Sequence, residues 1–296
     1  MFSKSSLLHL RIPFSFFLLP IFLFSLSISP NLNELRLFWV FFIIHFLLYP
    51  ASNGYNSYFD KDEKSIGGLK NPPPTKTGLY YLSLLLDALA IILGYLKLNL
   101  TFAVMLLIYG LVSKAYSHPS IRLKKYAFTS LVITGIFQGL FTFLMCYVGV
   151  NDFPISIALR PNVIIPGILT SLMLWANYPL TQVYQHEEDS KRGDTTISLK
   201  LGVKGTFYFS IIVFGVALSC FLLYLNLYFS SKYAMIFLMA VLPVLLYFFY
   251  WLMLVLRNKN NADYGRTMAL NYISATCLNL FFLYLFFNTT QVHQFL

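Results

Sequence analysis

The sequence predicts an all-α integral membrane protein, a single bundle of nine transmembrane helices over residues 1–296. Three observations carry this reading. Hydrophobic residues make up 58% of the 296 residues, charged residues 11%, and the mean hydropathy is +0.68, far from a soluble domain. The apolar residues fall into nine separate runs, each close to the ~20 residues that a spanning helix needs. The runs are too long for barrel strands and do not alternate apolar with polar, so helices are the expected element. No stretch is left over for a separate soluble domain.

In chain order, the first run, Pro13 to about Ile28, follows Lys4 and Arg11 and ends in the small residues SLSIS. A secretory signal peptide looks similar. This run is long for such a segment, lacks an A-x-A site and is followed by further spans, so it reads as the first span. The second, Leu37–Tyr58, holds His45, read as a hydrogen-bonded packing residue, and runs into NSYFDKDE, Asn56 to Glu63. A Gly, Lys and Pro-rich loop, SIGGLKNPPPTKTG, comes next. The remaining spans are Leu79–Leu96, Leu100–Tyr116, Ala127–Val148, Val163–Tyr184, Thr206–Phe229, Tyr233–Leu256 and Thr267–Phe287. Asp87 lies in mid-span, where an ionisable group is expensive; it either assists an acceptor hydroxyl or proton or pairs with Lys114 on the next helix, and the pairing is the first expectation.

Nine spans assign every loop to a side. With the N-terminus in the cytoplasm, only Arg36, Lys97, Arg160 and Lys232 of the 21 lysines and arginines fall outside, as the positive-inside rule requires. The acids sort the same way, leaving Glu34 and Asp152 outside and Asp87 within the bilayer. Orientation alone needs only the cations, so acids and bases piled on one face suggest an ion and phosphate site there. The formal charge of +10 does not indicate nucleic acid, because the basic residues sit in short loops. Cys146, Cys220 and Cys277 lie inside apolar runs without CxxC or Cys/His spacing, which argues against disulfides and zinc.

Two of these span ends carry oxygen ligands. On a continuous helix Asn56, Asp60 and Glu63 share one face while Asp62 points elsewhere. In YPLTQVYQHEEDSKRGDTTISLKLG, Tyr178 to Gly202, Tyr178, Gln185 and Asp189 share a face with Glu188 at its margin. One or two carboxylates plus substrate phosphates is how Mg²⁺ is usually held. Carboxylates clamp a diphosphate through Mg²⁺, and Lys or Arg neutralises the charge as it departs. Ionisation of an allylic C–O bond then leaves a carbocation, which aromatic faces stabilise. The chain has 30 Phe and 21 Tyr, although lipid contact and packing account for most of them.

Asn56-x-x-x-Asp60 with its Gly/Pro loop, the block YSHPSIRLKK from Tyr116 to Lys125, and the acidic stretch leading to GDTT together resemble the UbiA superfamily of intramembrane prenyltransferases. Their order and spacing fit over nearly the whole chain. The resemblance implies a nine-helix bundle with a central cavity whose polar mouth faces the cytoplasm, and Mg²⁺-dependent transfer from a polyprenyl diphosphate to an acceptor. An aromatic ring is the first expectation for that acceptor; heme, glycerol-lipid and sugar-phosphate acceptors also occur in the family. By resemblance Asn56, Asp60 and Asp189 take metal-ligand roles, with Arg11, Arg122, Lys124, Lys191 and Arg192 as diphosphate contacts and Tyr116 and Tyr178 beside the substrate. The chain departs from the family pattern at Lys64 and Gln185, where carboxylates are usual. Glu63 and Glu188, and the Gln185 carbonyl, are the expected replacements in the metal set, and Asp60, Asp189 and Glu63 the expected catalytic carboxylates. The departures support a rival reading, a non-catalytic lipid or diphosphate binder or a transporter on the same scaffold.

Overall fold

The computed structural model describes residues 2–290. Among these described residues eight helices are long and apolar enough to span a membrane, and a bent N-terminal pair makes nine when counted as one span. We label them α1 (Lys4–Phe17 plus Leu19–Ser27), α2 (Glu34–Asp60), α3 (Thr77–Lys97), α4 (Leu100–Ser117), α5 (Ala127–Asn151), α6 (Pro161–Gln182), α7 (Ile197–Tyr228), α8 (Ser231–Arg257) and α9 (Tyr264–Thr289). Neighbours in sequence pack as neighbours in space, and α9 closes back on the second half of α1. The result is a ring of helices around a cavity.

The first span is not the continuous helix expected over Pro13–Ile28. Its halves are bent by 41°. Arg11 adopts a left-handed conformation (φ 47°), and Pro13 and Pro20 each sit at the start of a helical segment, where a residue without an N–H is tolerated. The second half is core: the Phe24 ring stacks on Phe282 at 4.5 Å and meets Phe143, Phe221 and Tyr224. The first half is tied to the Pro-rich loop, Ser5 donating to the Pro74 carbonyl at 2.6 Å and His9 Nε2 lying 2.7 Å from the Pro73 carbonyl.

Two spans carry π-turns. In α2 the π-turn covers Ile43–Leu48 and precedes Pro50, whose ring cannot fit an unaltered helix. In α5 it covers Gly135–Phe141, and the Ser171 hydroxyl serves the loosened backbone from α6, donating to the Gly135 carbonyl at 2.8 Å and accepting from Leu140 N–H at 3.0 Å. Close approach makes this possible, since a Cβ on Gly139 would stand 2.8 Å from the Ser171 backbone. Small residues at such crossings are how membrane helices pack.

Asp87 and Lys114 form an ion pair between α3 and α4, as expected. His45 is buried among Phe22, Phe41 and Tyr49, its Nε2 without a hydrogen-bond partner. Span α7 starts at Ile197, earlier than the expected Thr206, and bends at Gly202 (φ 68°).

Candidate active site

The ring encloses a cavity of ≈ 600 Å³ that is polar at one end and lined by aliphatic and aromatic side chains at the other. Both acidic segments reach its polar mouth. Helix α2 stops at Asp60 because Lys61 turns into the left-handed region (φ 52°), and this corrects the helical-face expectation. Past the turn Asp62 lines the cavity, whereas Glu63 is exposed and outside it. The second segment is not a continuous helix either. Helix α6 tightens to a 3₁₀ turn over Tyr178–Gln182, and a short helix, His186–Arg192, starts afresh after Gln185. Tyr178, Gln185 and Asp189 nonetheless all line the cavity.

Arg192 joins the two segments. Its guanidinium pairs with Asp62, donates to Asp189 Oδ1 at 3.0 Å and to the Asp60 carbonyl at 3.4 Å, and lies 3.5 Å from Asp194 Oδ2. Lys124 pairs with Asp60. Arg122 holds Asp194 with two bonds, at 2.7 and 2.8 Å, and reaches Asp60 Oδ1 at 3.5 Å, but stands behind the cavity wall. A two-pronged grip of this kind is specific to arginine. On the N-terminal side Arg11 donates to the Gly67 carbonyl at 3.1 Å and to Asn53 Oδ1 at 3.2 Å, and lines the mouth. Asn56 donates its amide to Ser117 Oγ at 3.0 Å, which leaves its carbonyl oxygen uncommitted.

Besides Arg122, three more expected site residues stand apart from the cavity. Lys191 is exposed and bonds Glu187 at 2.7 Å, helping with Lys64 to hold that carboxyl down to about 2. Glu188 Oε1 accepts the backbone N–H groups of Glu63 and Lys64 at 3.0 and 2.8 Å, so it latches the two segments together. Glu63 contributes only its backbone to that latch. Conversely, Asp62 and Asp194 reach the mouth although neither was among the expected ligands. Asp194 follows Gly193, whose left-handed turn (φ 73°) ends the short helix.

Asp60, Asp62, Asp189 and Asp194 are matched by Arg11, Lys124 and Arg192 on the cavity wall and by Arg122 behind it, and Lys124, Arg122 and Arg192 are already held by the carboxylates. Burial pushes the Asp189 carboxyl up to about 6 against the pull of Arg192, and burial together with Asp60 raises Asp62. A bare diphosphate would have to compete with these carboxylates for cations already engaged. A diphosphate carrying a hard divalent cation would not, since the cation takes the carboxylates and frees the basic groups for phosphate oxygens. Among the described residues no three His, Cys, Asp or Glu side chains converge on one point. Asp60, Asp62 and Asp189 at the mouth, with the Asn56 carbonyl, are oxygen donors of the kind that a hard divalent cation takes together with a substrate's phosphates. Deeper in, the Tyr116 and Tyr178 hydroxyls bond to each other across the cavity wall at 2.5 Å, and Phe137, Phe214, Phe221, Phe248 and Phe282 line the apolar end.

The sequence pattern of the UbiA prenyltransferase family matches residues 17–274. No curated protein matches the chain. Among solved structures, a UbiA homologue from Archaeoglobus fulgidus bound to DMAPP and Mg²⁺ superposes with a TM-score of 0.65 at 14% identity, over 96% of this chain and 99% of that one. The same homologue bound to GPP and Mg²⁺ gives a TM-score of 0.62 at 14% identity, with the same coverage. A digeranylgeranylglyceryl phosphate synthase gives 0.61 at 22% identity, over 95% of this chain and 96% of that one.

Proposed function

The chain belongs to the UbiA prenyltransferase family, and from that premise we propose that it transfers a prenyl group from a polyprenyl diphosphate to an acceptor inside the membrane, with Mg²⁺ as cofactor. One observation carries the proposal. Two acidic segments from opposite walls meet, bridged by Arg192, at the mouth of a cavity whose far end is aromatic and apolar. A charged head with a long hydrocarbon tail has that shape. The structures of relatives bound to DMAPP and GPP with Mg²⁺ support the same reading.

Asp60, Asp62 and Asp189, with the Asn56 carbonyl, would hold the metal, which neutralises charge on the diphosphate when bound. Lys124, Arg192 and Arg11 then take phosphate oxygens as the allylic C–O bond breaks and the electron pair leaves on the diphosphate. Arg122 positions Asp194 and Asp60 from behind. The aromatic wall excludes water and faces the allylic cation, until a nucleophilic atom of the acceptor bonds to it and the acceptor loses a proton. Aromatic carbon is the acceptor atom this reading favours, and the polar loops would face the cytoplasm. Equilibrium binding of geranyl diphosphate to the protein in lipid tests the donor site. Binding should need Mg²⁺ and fall at least about tenfold in Asp60→Ala, a loss of 1.4 kcal/mol or more; metal-independent binding equal in both proteins would refute it.

A further inference from the structure

Away from the mouth the cavity wall becomes polar a second time, in groups the diphosphate site does not use. Asn177 on α6 and Asn271 and Ser274 on α9 line the cavity together. Ser274 lies ten residues along α9 from Tyr264, about 15 Å at the helical rise, and shares a helix face with Asn271. Asn177 Nδ2 donates to Asn271 Oδ1 at 3.1 Å. Asn177 Oδ1 and Ser274 Oγ are buried with no partner. Each orphan of this kind costs about 1–3 kcal/mol, so a cluster of them in a cavity asks for a ligand that completes it. The π-turn of α5 brings Gln138 to the same cavity, and such turns are frequent at functional sites.

The inventory of donors and acceptors selects the ligand. Whichever amide of the asparagine pair donates, one carbonyl oxygen and one NH₂ group remain free, and the Ser274 hydroxyl offers both roles. A carboxylate or phosphate brings acceptors only and would set its charge against the free carbonyl oxygen. The cations that line the cavity, Arg11, Lys124 and Arg192, are all engaged among the groups of the mouth, so none is left to offset that charge. A plain hydrocarbon would leave every polar atom unpaired. A neutral hydroxyl both donates and accepts. Resting on the reading that this cavity admits an acceptor beside the donor, we infer that Asn177, Asn271 and Ser274 form a subsite for a neutral hydroxyl of that acceptor, phenolic or alcoholic, and against a carboxylate.

The test is competition binding to the full chain in lipid nanodiscs, with a radiolabelled para-alkylphenol displaced by the unlabelled phenol, its methyl ether, the matching para-alkylbenzoate or a fatty alcohol. The phenol or the alcohol should compete about tenfold or more better than the ether, as one buried hydrogen bond dictates, with the benzoate weakest. That preference should shrink below about threefold in Ser274→Ala and in Asn177→Leu, while Mg²⁺-dependent geranyl diphosphate binding stays unchanged. Asn177→Ser, which keeps a polar group, should retain part of it and guards against misfolding of the leucine variant. Which of phenol and alcohol binds tighter identifies the source of the hydroxyl. An ether that competes as well as the phenol, a benzoate that competes best, or a preference intact in both folded variants would overturn the inference. Failure of geranyl diphosphate to bind the wild type would instead refute the prenyl-donor reading, leaving the phenol and ether comparison to decide the subsite by itself.

Discussion

The backbone N–H of Lys64 donates to Glu188 Oε1 at 2.8 Å, so the loop after α2 is fastened to the short helix that carries Asp189. The same oxygen takes the Glu63 N–H at 3.0 Å, and the Lys64 ammonium pairs with Glu187. Glu188→Ala removes the shared acceptor. Hydrogen bonds to charged groups are worth about 1.5–3 kcal/mol, so amide exchange at Glu63 and Lys64 should quicken by about tenfold or more while exchange in the spans is unaffected. Unchanged protection at those two amides would show that the latch is not what orders the loop.

Asp62 and Glu63 are adjacent but the turn at Lys61 sends them to different places. Asp62→Ala should lower turnover by about 10²-fold or more, the usual loss for one preorganised group at a developing charge. Glu63→Ala should leave it within about twofold. Steady-state rates of the two variants decide the matter, and a reversed ranking would restore the continuous helical face.

Arg192→Lys keeps the charge but loses the planar fork that meets Asp62, Asp189 and Asp194 together. Donor affinity should fall by about tenfold to a hundredfold, and the melting temperature should drop as well because a carboxylate is left unpaired in a buried position. A variant indistinguishable from wild type in both would mean that point charge suffices.

The Asp189 carboxyl, raised to about 6 by burial, gives pH effects of opposite sign on binding and on stability. Its folded value lies above the ordinary carboxylate value, so the folded chain binds this proton more tightly than the unfolded one, and this group favours folding more as pH falls from about 6 toward about 4. A metal needs the deprotonated form. Mg²⁺-dependent donor affinity should therefore weaken as pH falls through about 6, approaching about tenfold per unit, measured against the protonation of the Mg²⁺–diphosphate complex alone. Affinity flat between pH 5 and 7 on the order of that correction would remove Asp189 from the metal set.

Most of the bundle was legible because lipid leaves a chain few options: long apolar runs had to be helices, and a mid-span Asp87 needed a counterpart, for which Lys114 is the preferred of two readings. The breaks were not. Periodicity extends a helix until something stops it, and at Lys61 the stop is a left-handed residue that is not glycine, which carries no sequence signal. That single turn exchanged Asp62 for Glu63 at the cavity. Likewise helical spacing puts Tyr178, Gln185 and Asp189 on one face, and these three do reach the cavity, but through a 3₁₀ turn and a second short helix. Glu188 and Lys191 went to the latch and the surface because the restart at Gln185 reset the register. The GDTT stretch marked the place of Asp194 without indicating that Arg122 would hold it from behind. Asn177, Asn271 and Ser274 were hidden by their spacing, since α6 and α9 are distant in sequence and a lone Asn or Ser in a span usually bonds its own helix.

The central claim is that this chain transfers a prenyl group. Its most direct test is pyrophosphate release by the purified protein in lipid, given prenyl diphosphates of several lengths with and without a pool of phenolic, alcoholic and other acceptors, beside Asp60→Ala. Release that requires both Mg²⁺ and an acceptor, matched by prenylated product and abolished in the variant, is the predicted result. Tight Mg²⁺-dependent binding of the donor without release across the acceptor pool would contradict it and favour a non-catalytic diphosphate binder on the same scaffold.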